Sequence, residues 1–244
     1  MRWQASILLN PYQVIREYLQ GFVHLFYPHI CLQCGMDELS KEQIICDDCE
    51  ATLPYTHFDE MQNNPIEKIF WGRIHIQNAT TILYFTKDSI VQKIIFELKY
   101  NQNKNAGYLF GRLIANALLN NPNYGLVDYL IPIPISKRKT KKRGFNQSML
   151  ICEAMVDHGY KVPIFTGLIK SKNGITQTRK NRIQRASKAN SFFTLLHSNK
   201  LNGKRLLLID DVITTGATLE NACLCLLASQ PMSIQIATVA YTYH

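Results

Sequence analysis

The amino-acid sequence predicts an α/β fold with a parallel sheet, preceded by a small cysteine-rich module. Helical and strand-like apolar patterns alternate from about residue 80 onward, which is typical of an α/β domain. Residues 206–209 form a short, continuous apolar run of the kind found in strands buried on both faces. Four of the seven cysteines stand in two Cys-x-x-Cys pairs before residue 50. A chain of 244 residues, 46% of them hydrophobic, can bury one sizeable core with a small appendage.

The first predicted element is an amphipathic helix within residues 1–27. Beginning after Pro11, apolar side chains recur at helical spacing, at Val14, Ile15, Tyr18, Leu19, Phe22, Val23 and Phe26. We expect this stripe to dock on the chain's own core. A helix on a membrane surface is the alternative, but the polar face has few cations. Because no stretch has the length of a transmembrane segment or the features of a secretory signal, a cytoplasmic location is expected.

The two cysteine pairs predict a structural zinc site. Cys31 and Cys34 are followed, after eleven residues, by Cys46 and Cys49. In a zinc ribbon each Cys-x-x-Cys turn supplies two thiolates, and four sulfurs leave no coordination position open for water. We assign this module to residues 28–56. Disulfides or inert buried thiols are the alternatives, and an odd number of cysteines without a secretory signal favours a reducing compartment.

A linker, a strand and two helices are predicted next. The polar, irregular residues 54–65 are interpreted as the linker out of the zinc module. A strand is predicted over residues 80–85, a helix from Asp88 to about residue 98, a polar break over 99–105, and a helix over 108–119. Lys99 lies at the start of the break. It is either a solvated charge at a helix end or a contact for an anion.

The basic residues are concentrated in one region, which follows a second predicted strand. Residues 137–188 carry a local charge of +12, whereas the rest of the chain sums to −3. A buried strand over 127–131 leads into the basic loop 137–143, and a helix then begins at Gly144–Gln147 and runs to about Val156. A strand, a basic loop and a helix amino end together predict an anion site. The alternative is a loop that is merely solvated or binds nucleic acid.

The segment from Leu168 to Phe193 has no clean periodicity and is rich in basic and polar residues. Ligand-binding flaps are drawn from such weakly packed segments, so we interpret it as a flap over a charged substrate. The last predicted strand covers residues 233–241.

The apolar run at 206–209 is followed by Asp210 and Asp211. A loop of small and hydroxyl residues comes next and opens a helix from about Ala217 to Ser229. The loop consists of Thr214, Thr215, Gly216, Ala217 and Thr218. Backbone N–H groups, hydroxyls and the helix amino end favour a phosphate. Two carboxylates would repel a phosphate, so they are predicted to accept hydrogen bonds from sugar hydroxyls or to hold a divalent cation. The stretch therefore predicts a cradle for ribose 5-phosphate. The alternative is a plain strand-to-helix turn whose polar residues only cap the helix.

This stretch closely resembles the phosphoribosyl pyrophosphate (PRPP) motif of type I phosphoribosyltransferases. The resemblance implies a phosphoribosyltransferase-like domain over residues 66–244. It places Asp210 and Asp211 at the ribose hydroxyls, residues 214–218 around the 5-phosphate, and Arg143 and Gly144 at the pyrophosphate. Lys99 is a further candidate contact for phosphate.

The order of motifs along residues 28–242 is similar to that of the ComF family of competence proteins. The motifs follow one another in this order: the zinc ribbon, Lys99-Tyr100, Pro-Ile-Pro with Arg-Gly-Phe-Asn-Gln, Gln177-Thr178 and the acidic loop motif. The chain departs from the family at the flap, where Arg185 is followed by Lys188 and Asn190.

The resemblance implies two functions, and sequence does not establish turnover. One is phosphoribosyl transfer from PRPP, in which Mg²⁺ and Arg143 neutralise the departing pyrophosphate. The other is non-catalytic binding of single-stranded DNA within the DNA-uptake machinery by the basic region 137–188. Phe145, Phe192 and Phe193 are its candidate aromatic contacts. All three could equally lie in the core, which is the expectation for Phe145.

Overall fold

The structure is a computed structural model that describes residues 29–36, 39–119, 121–124, 126–171 and 192–242. The predicted amino-terminal helix and residues 172–191, which form most of the predicted flap, lie outside the described residues. The chain divides into two compact units, one up to Ala51 and one from Thr52 onward. Within the described residues no helix is both long and apolar enough to cross a membrane.

The first unit is organised by two turns at its cysteine pairs. The Gly35 N–H donates to the Cys31 carbonyl at 2.9 Å, and the Glu50 N–H donates to the Cys46 carbonyl at 2.9 Å. Its described helix, α1, spans Asp47–Ala51. Among the described residues of this unit, the buried apolar side chains apart from cysteine are those of Leu39, Ile44 and Ile45.

The second unit is built on a four-stranded parallel sheet with the order β1-β6-β5-β2. The strands are β1 (Asn78–Phe85), β2 (Tyr129–Pro132), β5 (Arg205–Ile213) and β6 (Ser233–Thr242). Each consists of an almost continuous buried run because helices cover both faces of the sheet. The predicted α/β fold with a parallel sheet is confirmed.

The helices of the second unit are α2 (Pro65–Phe70), α3 (Ile90–Tyr100), α4 (Lys104–Leu118), α5 (Lys137–Arg143), α6 (Gln147–Asp157) and α7 (Ala217–Leu227). Helices α4 and α6 pack closely because α4 carries glycines at the contact. A Cβ atom on Gly111 would lie 2.4 Å from the Ala154 Cβ. Two short strands, β3 (Leu168–Lys170) and β4 (Phe193–Leu195), pair antiparallel at the two ends of the predicted flap.

Residues 54–65, which were predicted to be a linker, instead pack within the second unit. Thr56, Phe58 and Asn64 are buried, and the Thr56 N–H donates to the carbonyl of Ile82 in β1. The Asn64 side chain caps α2 through its oxygen, and its nitrogen donates to the Ala79 carbonyl at 2.8 Å. One buried amide thus fixes this segment to both the helix and the sheet.

Two predicted boundaries also differ from the structure. Helix α3 is capped by Ser89, whose side chain accepts from the Gln92 N–H, and Asp88 precedes the cap with a φ of 59°. The basic residues 137–143 are a helix rather than a loop. Ser136 caps its amino end and Gly144, with a φ of 82°, ends it.

Candidate phosphate and sugar site

The acidic pair lies inside β5 rather than after it. The strand continues past Ile209 because β6 runs alongside, with Asp210 opposite Thr238 and Val212 opposite Ala240. Consecutive side chains of a strand point to opposite faces, so the two carboxylates leave the backbone in different directions. They nevertheless lie near the carboxyl end of a central strand, which is where open α/β sheets bind ligands.

Asp210 is held by two hydrogen bonds to the same oxygen. The Ser148 hydroxyl donates to Oδ1 at 3.0 Å, and the Asp211 N–H donates to it at 2.9 Å. Burial raises the pKa of Asp210 to about 7, and the negative charge of Asp211 adds to this rise. The two hydrogen bonds and the charge of Lys99 oppose it. Asp210 therefore exchanges its proton near neutral pH.

Asp211 forms an ion pair with Lys99. The Lys99 Nζ lies 2.9 Å from Oδ2, and only 18% and 13% of the two side chains are exposed. Lys99 stands in the last turn of α3. It is therefore not a solvated charge at a helix end, and in this structure its ammonium contacts a carboxylate.

The loop after β5 forms a small pocket at the amino end of α7. The pocket is lined by Asp210 and residues 212–219 and has a volume of about 40 Å³. One water molecule needs about 10–15 Å³ of such space, so a group of several atoms fits. No side chain caps α7, and the first N–H groups of a helix have no partner within it. The pocket thus presents donors and the positive end of a helix dipole to an anion.

Gly216 gives the loop its shape. Its φ of 74° lies in the left-handed region, and a Cβ there would be 2.7 Å from the Ile69 Cγ2. Arg73 holds the same loop from outside, because its Nη1 donates to the Thr215 carbonyl at 3.3 Å and lies 3.3 Å from Glu220 Oε2. Residues 69–73 therefore support the loop.

The basic helix α5 ends beside the segment that carries Lys99. The Arg143 guanidinium donates to Gln147 Oε1 at 2.8 Å and lies 5.9 Å from the centre of the Tyr100 ring. At Gly144, which follows it, an added Cβ would lie 3.1 Å from Gln102 Oε1. Residues 99–102 thus contact both the acidic pair and the end of the basic helix.

A lysine from the small hairpin also approaches this site. Burial lowers the pKa of Lys170, and the positive charge of Lys139 lowers it further, while the charge of Asp210 opposes the shift. The base of the predicted flap therefore lies within electrostatic range of both the acidic pair and α5.

The predicted aromatic contacts for nucleic acid are distributed differently from expectation. Phe193 is 1% exposed and lies in the core, so its assignment as a contact was wrong. Phe192 is 43% exposed, and Phe145, expected in the core, is only half-buried. The exposed aromatic pair beside the basic helix is instead formed by Phe96 and Tyr100, whose ring centres are 4.9 Å apart.

The four predicted zinc ligands come together in the first unit. The Sγ atoms of Cys31, Cys34, Cys46 and Cys49 all lie within 4.8 Å of one another, and those of Cys34 and Cys46 are 3.9 Å apart. Tetrahedral coordination with Zn–S bonds of about 2.3 Å places sulfurs about 3.8 Å apart. The separation is far above a disulfide bond length of about 2.05 Å, so the cluster fits a structural zinc ion.

Local hydrogen bonds favour thiolate in this cluster. Burial raises the pKa of the Cys31 thiol, but backbone N–H groups at Cys34, Cys46 and Gln33 outweigh burial and lower the pKa to about 6. The Cys46 N–H, for example, lies 3.4 Å from the Cys31 sulfur. Such N–H···S contacts are what a four-thiolate site needs to balance its charge.

Comparison with known proteins gives a consistent assignment. A family model described as a phosphoribosyl transferase domain matches residues 161–244. Competence protein ComFC of Bacillus subtilis (strain 168) is 27% identical over 92% of this chain and 82% of its own length. The chain is thus similar to the ComF-type competence proteins over most of its length. DNA utilization protein YhgH of Escherichia coli (strain K12) is 24% identical, covering 85% of this chain and 88% of its own.

Among solved structures, those similar to this chain include phosphoribosyltransferase-type enzymes. The glutamine PRPP amidotransferase of B. subtilis is 15% identical with a TM-score of 0.43, covering 59% of this chain and 30% of its own. A hypoxanthine-guanine phosphoribosyl transferase of L. donovani is 13% identical with a TM-score of 0.35, covering 55% of this chain and 71% of its own.

Several residues of this candidate site were not identified from the sequence. Ser148 is the second residue of α6, and its place in the first turn of that helix is the only signal for it. Arg73 and Ile69 come from a segment that was interpreted as lying before the first strand, with no motif of its own. Their role appears only when the chain folds back and α2 packs against the loop around Gly216.

Proposed function

We propose that the chain binds PRPP, with Mg²⁺, at the carboxyl end of β5 and acts as a phosphoribosyltransferase linked to DNA uptake. The observation that carries this is the pocket of about 40 Å³ at an uncapped helix amino end, which is lined by Asp210 and has Asp211 next to it in the strand. Acids and an anion site are adjacent, as a phosphorylated sugar requires. The competence and DNA utilization proteins that resemble the chain support the link to uptake by their names.

Each group of the ligand has a counterpart in the proposed site. Residues 214–218 would receive the 5-phosphate through backbone N–H groups and hydroxyls. Asp210 and Asp211 would accept hydrogen bonds from the ribose hydroxyls. Arg143 and Gly144, at the end of α5, would contact the pyrophosphate, with the other basic residues of α5 adding positive potential. Lys99 would also contact a phosphate of the ligand once it has left its ion pair with Asp211.

The acidic pair fits Mg²⁺ only together with a ligand. Oxygen donors suit Mg²⁺, which is usually bound by one or two carboxylates plus substrate phosphates. Among the described residues, groups of three or more metal-binding side chains occur only at the four cysteines, so Mg²⁺ would depend on substrate oxygens here. When bound, it would neutralise charge on the departing pyrophosphate.

In this proposal the chain's own residues act by position and charge rather than as a nucleophile. Arg143 would stabilise the negative charge of the leaving group. The carboxylates of Asp210 and Asp211 would fix the ribose while positive charge develops at its anomeric carbon. The proposal includes a cytoplasmic location, which is supported by the odd number of cysteines and by four of them converging as zinc ligands do rather than as disulfides.

Calorimetry with PRPP and Mg²⁺ tests the binding step. We expect saturable heat for the wild type and its loss in Asp210→Asn/Asp211→Asn. Asp157→Asn is the matched control, because it removes an exposed carboxylate from the end of α6. Absence of heat for the wild type rejects the proposal. Release of pyrophosphate on adding nucleobases or amines then tests turnover.

A second function, binding of single-stranded DNA, is favoured by one specific observation. The rings of Phe96 and Tyr100 are 52% and 54% exposed, and Lys142 and Arg143 lie 6.0 and 5.9 Å from the Tyr100 ring. Aromatic faces next to a basic surface are what single strands use, since bases stack on the rings and phosphates pair with the cations.

Fluorescence anisotropy with a labelled oligothymidine tests this second function. Tyr100→Ala is expected to weaken binding about tenfold, because base stacking on an aromatic side chain contributes about 1–3 kcal/mol. Trp71→Ala is the control, since Trp71 is 57% exposed and also has a lysine, Lys68, 5.9 Å from its ring. Affinity should also fall steeply with salt. Equal affinities for the two variants would contradict a stacking role for Tyr100.

A further inference from the structure

The ion pair between Lys99 and Asp211 lies where the proposed function needs an accessible carboxylate. The Lys99 Nζ is 2.9 Å from Asp211 Oδ2, and less than a fifth of either side chain is exposed. Exposed ion pairs are weak because water screens them, but a pair this well covered is screened much less. The contact is therefore a persistent feature of the ligand-free site rather than a passing surface contact.

The pair makes Lys99 a competitor of any cation at the same carboxylate. A carboxylate can accept several hydrogen bonds, so Lys99 does not fill Asp211 sterically. A divalent cation bound to Asp211 would nevertheless lie within a few ångströms of the ammonium, and two cations in a poorly screened site repel each other strongly. Bound metal and paired Lys99 thus exclude each other on electrostatic grounds.

The backbone around Lys99 is fixed by contacts on the other side. The next residue, Tyr100, packs under Lys142 and Arg143 of α5, and Gln102 lies against Gly144. Lys99 is also in the last turn of α3, four residues after Ile95, which is buried. The side chain can therefore rotate away from Asp211 while its Cα stays in place.

We propose that Lys99 is a resident countercation that occupies Asp211 in the ligand-free protein and must release it before a divalent cation binds there. This inference rests on the proposed function, because it concerns the same carboxylate. Lys99 is then a positioning residue that reduces cation binding at the acidic pair until a ligand supplies further contacts.

Titration with Mn²⁺ in the absence of PRPP, followed by the electron paramagnetic resonance signal of free Mn²⁺, tests this directly. Lys99→Met is expected to bind Mn²⁺ about tenfold more tightly than the wild type. Lys99→Met/Asp211→Asn should lose that gain, and Lys99→Arg should behave like the wild type because the cation is restored. Lys104→Met is the control, since it removes an exposed charge from the start of α4.

The outcomes separate this inference from the proposed function. Equal Mn²⁺ affinity in Lys99→Met and the wild type overturns the countercation role, even if PRPP binds. Absence of PRPP heat in the wild type rejects the proposed function, whatever the Mn²⁺ titration shows. Lys99→Gln provides a second variant should Lys99→Met fold poorly, and the circular dichroism of each variant is compared with the wild type before titration.

Discussion

Replacement of Gly216 by alanine tests whether the phosphate loop is fixed by its packing on α2. The residue has a φ of 74°, and an added Cβ would meet the Ile69 Cγ2 at 2.7 Å and the Phe70 ring at 3.2 Å. Phe70 is fully buried, so its ring cannot move aside without disturbing the core. The backbone conformation and the packing therefore both oppose the substitution.

The expected loss of stability follows from these two terms. A left-handed conformation costs a residue with a Cβ about 1–2 kcal/mol, partly offset by about 0.4–1 kcal/mol from the stiffer unfolded chain. Overpacking a filled site costs about 1–3 kcal/mol more. The free energy of unfolding of Gly216→Ala should thus fall by about 1–5 kcal/mol, and each kilocalorie lowers the unfolding temperature by about 2–4 °C in a domain of this size.

Gly203→Ala separates the two terms. Gly203 also has a positive φ, of 64°, but an added Cβ there meets nothing within 4 Å. Gly203→Ala should therefore lose stability only through the cost of a left-handed backbone conformation. Urea unfolding followed by circular dichroism measures both variants, and PRPP calorimetry shows whether the loop still binds. If Gly216→Ala is destabilised no more than Gly203→Ala, the packing of the loop against Ile69 and Phe70 does not constrain it and the reasoning fails.

A double variant completes the test. Ile69→Ala removes the atom nearest to the added methyl group. The combined variant Gly216→Ala/Ile69→Ala should therefore lose less stability than the sum of the two single changes, since residues in contact are not additive. Strict additivity would show that the methyl group is accommodated elsewhere.

Three further predictions concern other parts of the molecule. Cys46→Ser should lose the zinc that a colorimetric assay finds after digestion, whereas Cys225→Ser, outside the four-cysteine cluster, should keep it. Because burial raises the pKa of Asp210 from 3.8 to about 7, the stability it contributes is present below about pH 4 and lost as pH rises towards 7. Urea unfolding should show a smaller decline from pH 5 to pH 8 in Asp210→Asn than in the wild type. Gly111→Ala should lower the unfolding temperature by several degrees, because its Cβ would lie 2.4 Å from the Ala154 Cβ and 2.6 Å from the Ile151 carbonyl oxygen.

The elements that could be predicted from the sequence are those that local signals specify. The apolar run at 206–209 predicts a buried strand because both faces of a parallel sheet are covered. The cysteine spacing predicts four converging sulfurs because each turn has a fixed geometry. The basic residues 137–143 were misread despite a local signal, since Ser136 and Gly144 are good helix caps. Like charges on neighbouring turns destabilise a helix, but this helix is exposed, so water screens the charges of its side chains.

The features that could not be predicted depend on contacts between distant parts of the chain. The carboxyl end of β5 is set by β6, whose pairing extends to Ile213 opposite Tyr241. Nothing near residue 99 indicates that its lysine meets Asp211, and nothing near residue 70 indicates that it lies beneath Gly216. Local patterns therefore identified the motif residues of the site, whereas their supporting residues required the tertiary structure.

The charges of the site explain why the ligand-free protein tolerates two neighbouring carboxylates. Repulsion between them is reduced in two ways, because Lys99 pairs with Asp211 and Asp210 holds a proton for part of the time near neutral pH. The net charge of Lys99, Asp210 and Asp211 together is thus close to zero, which avoids the cost of an uncompensated charge in a half-buried site. A divalent cation bound as we propose would reverse both arrangements, since it would displace the ammonium and favour the ionised form of Asp210. Its binding would therefore be weak until phosphate oxygens from a ligand add to the carboxylates, and the cation would depend on the ligand.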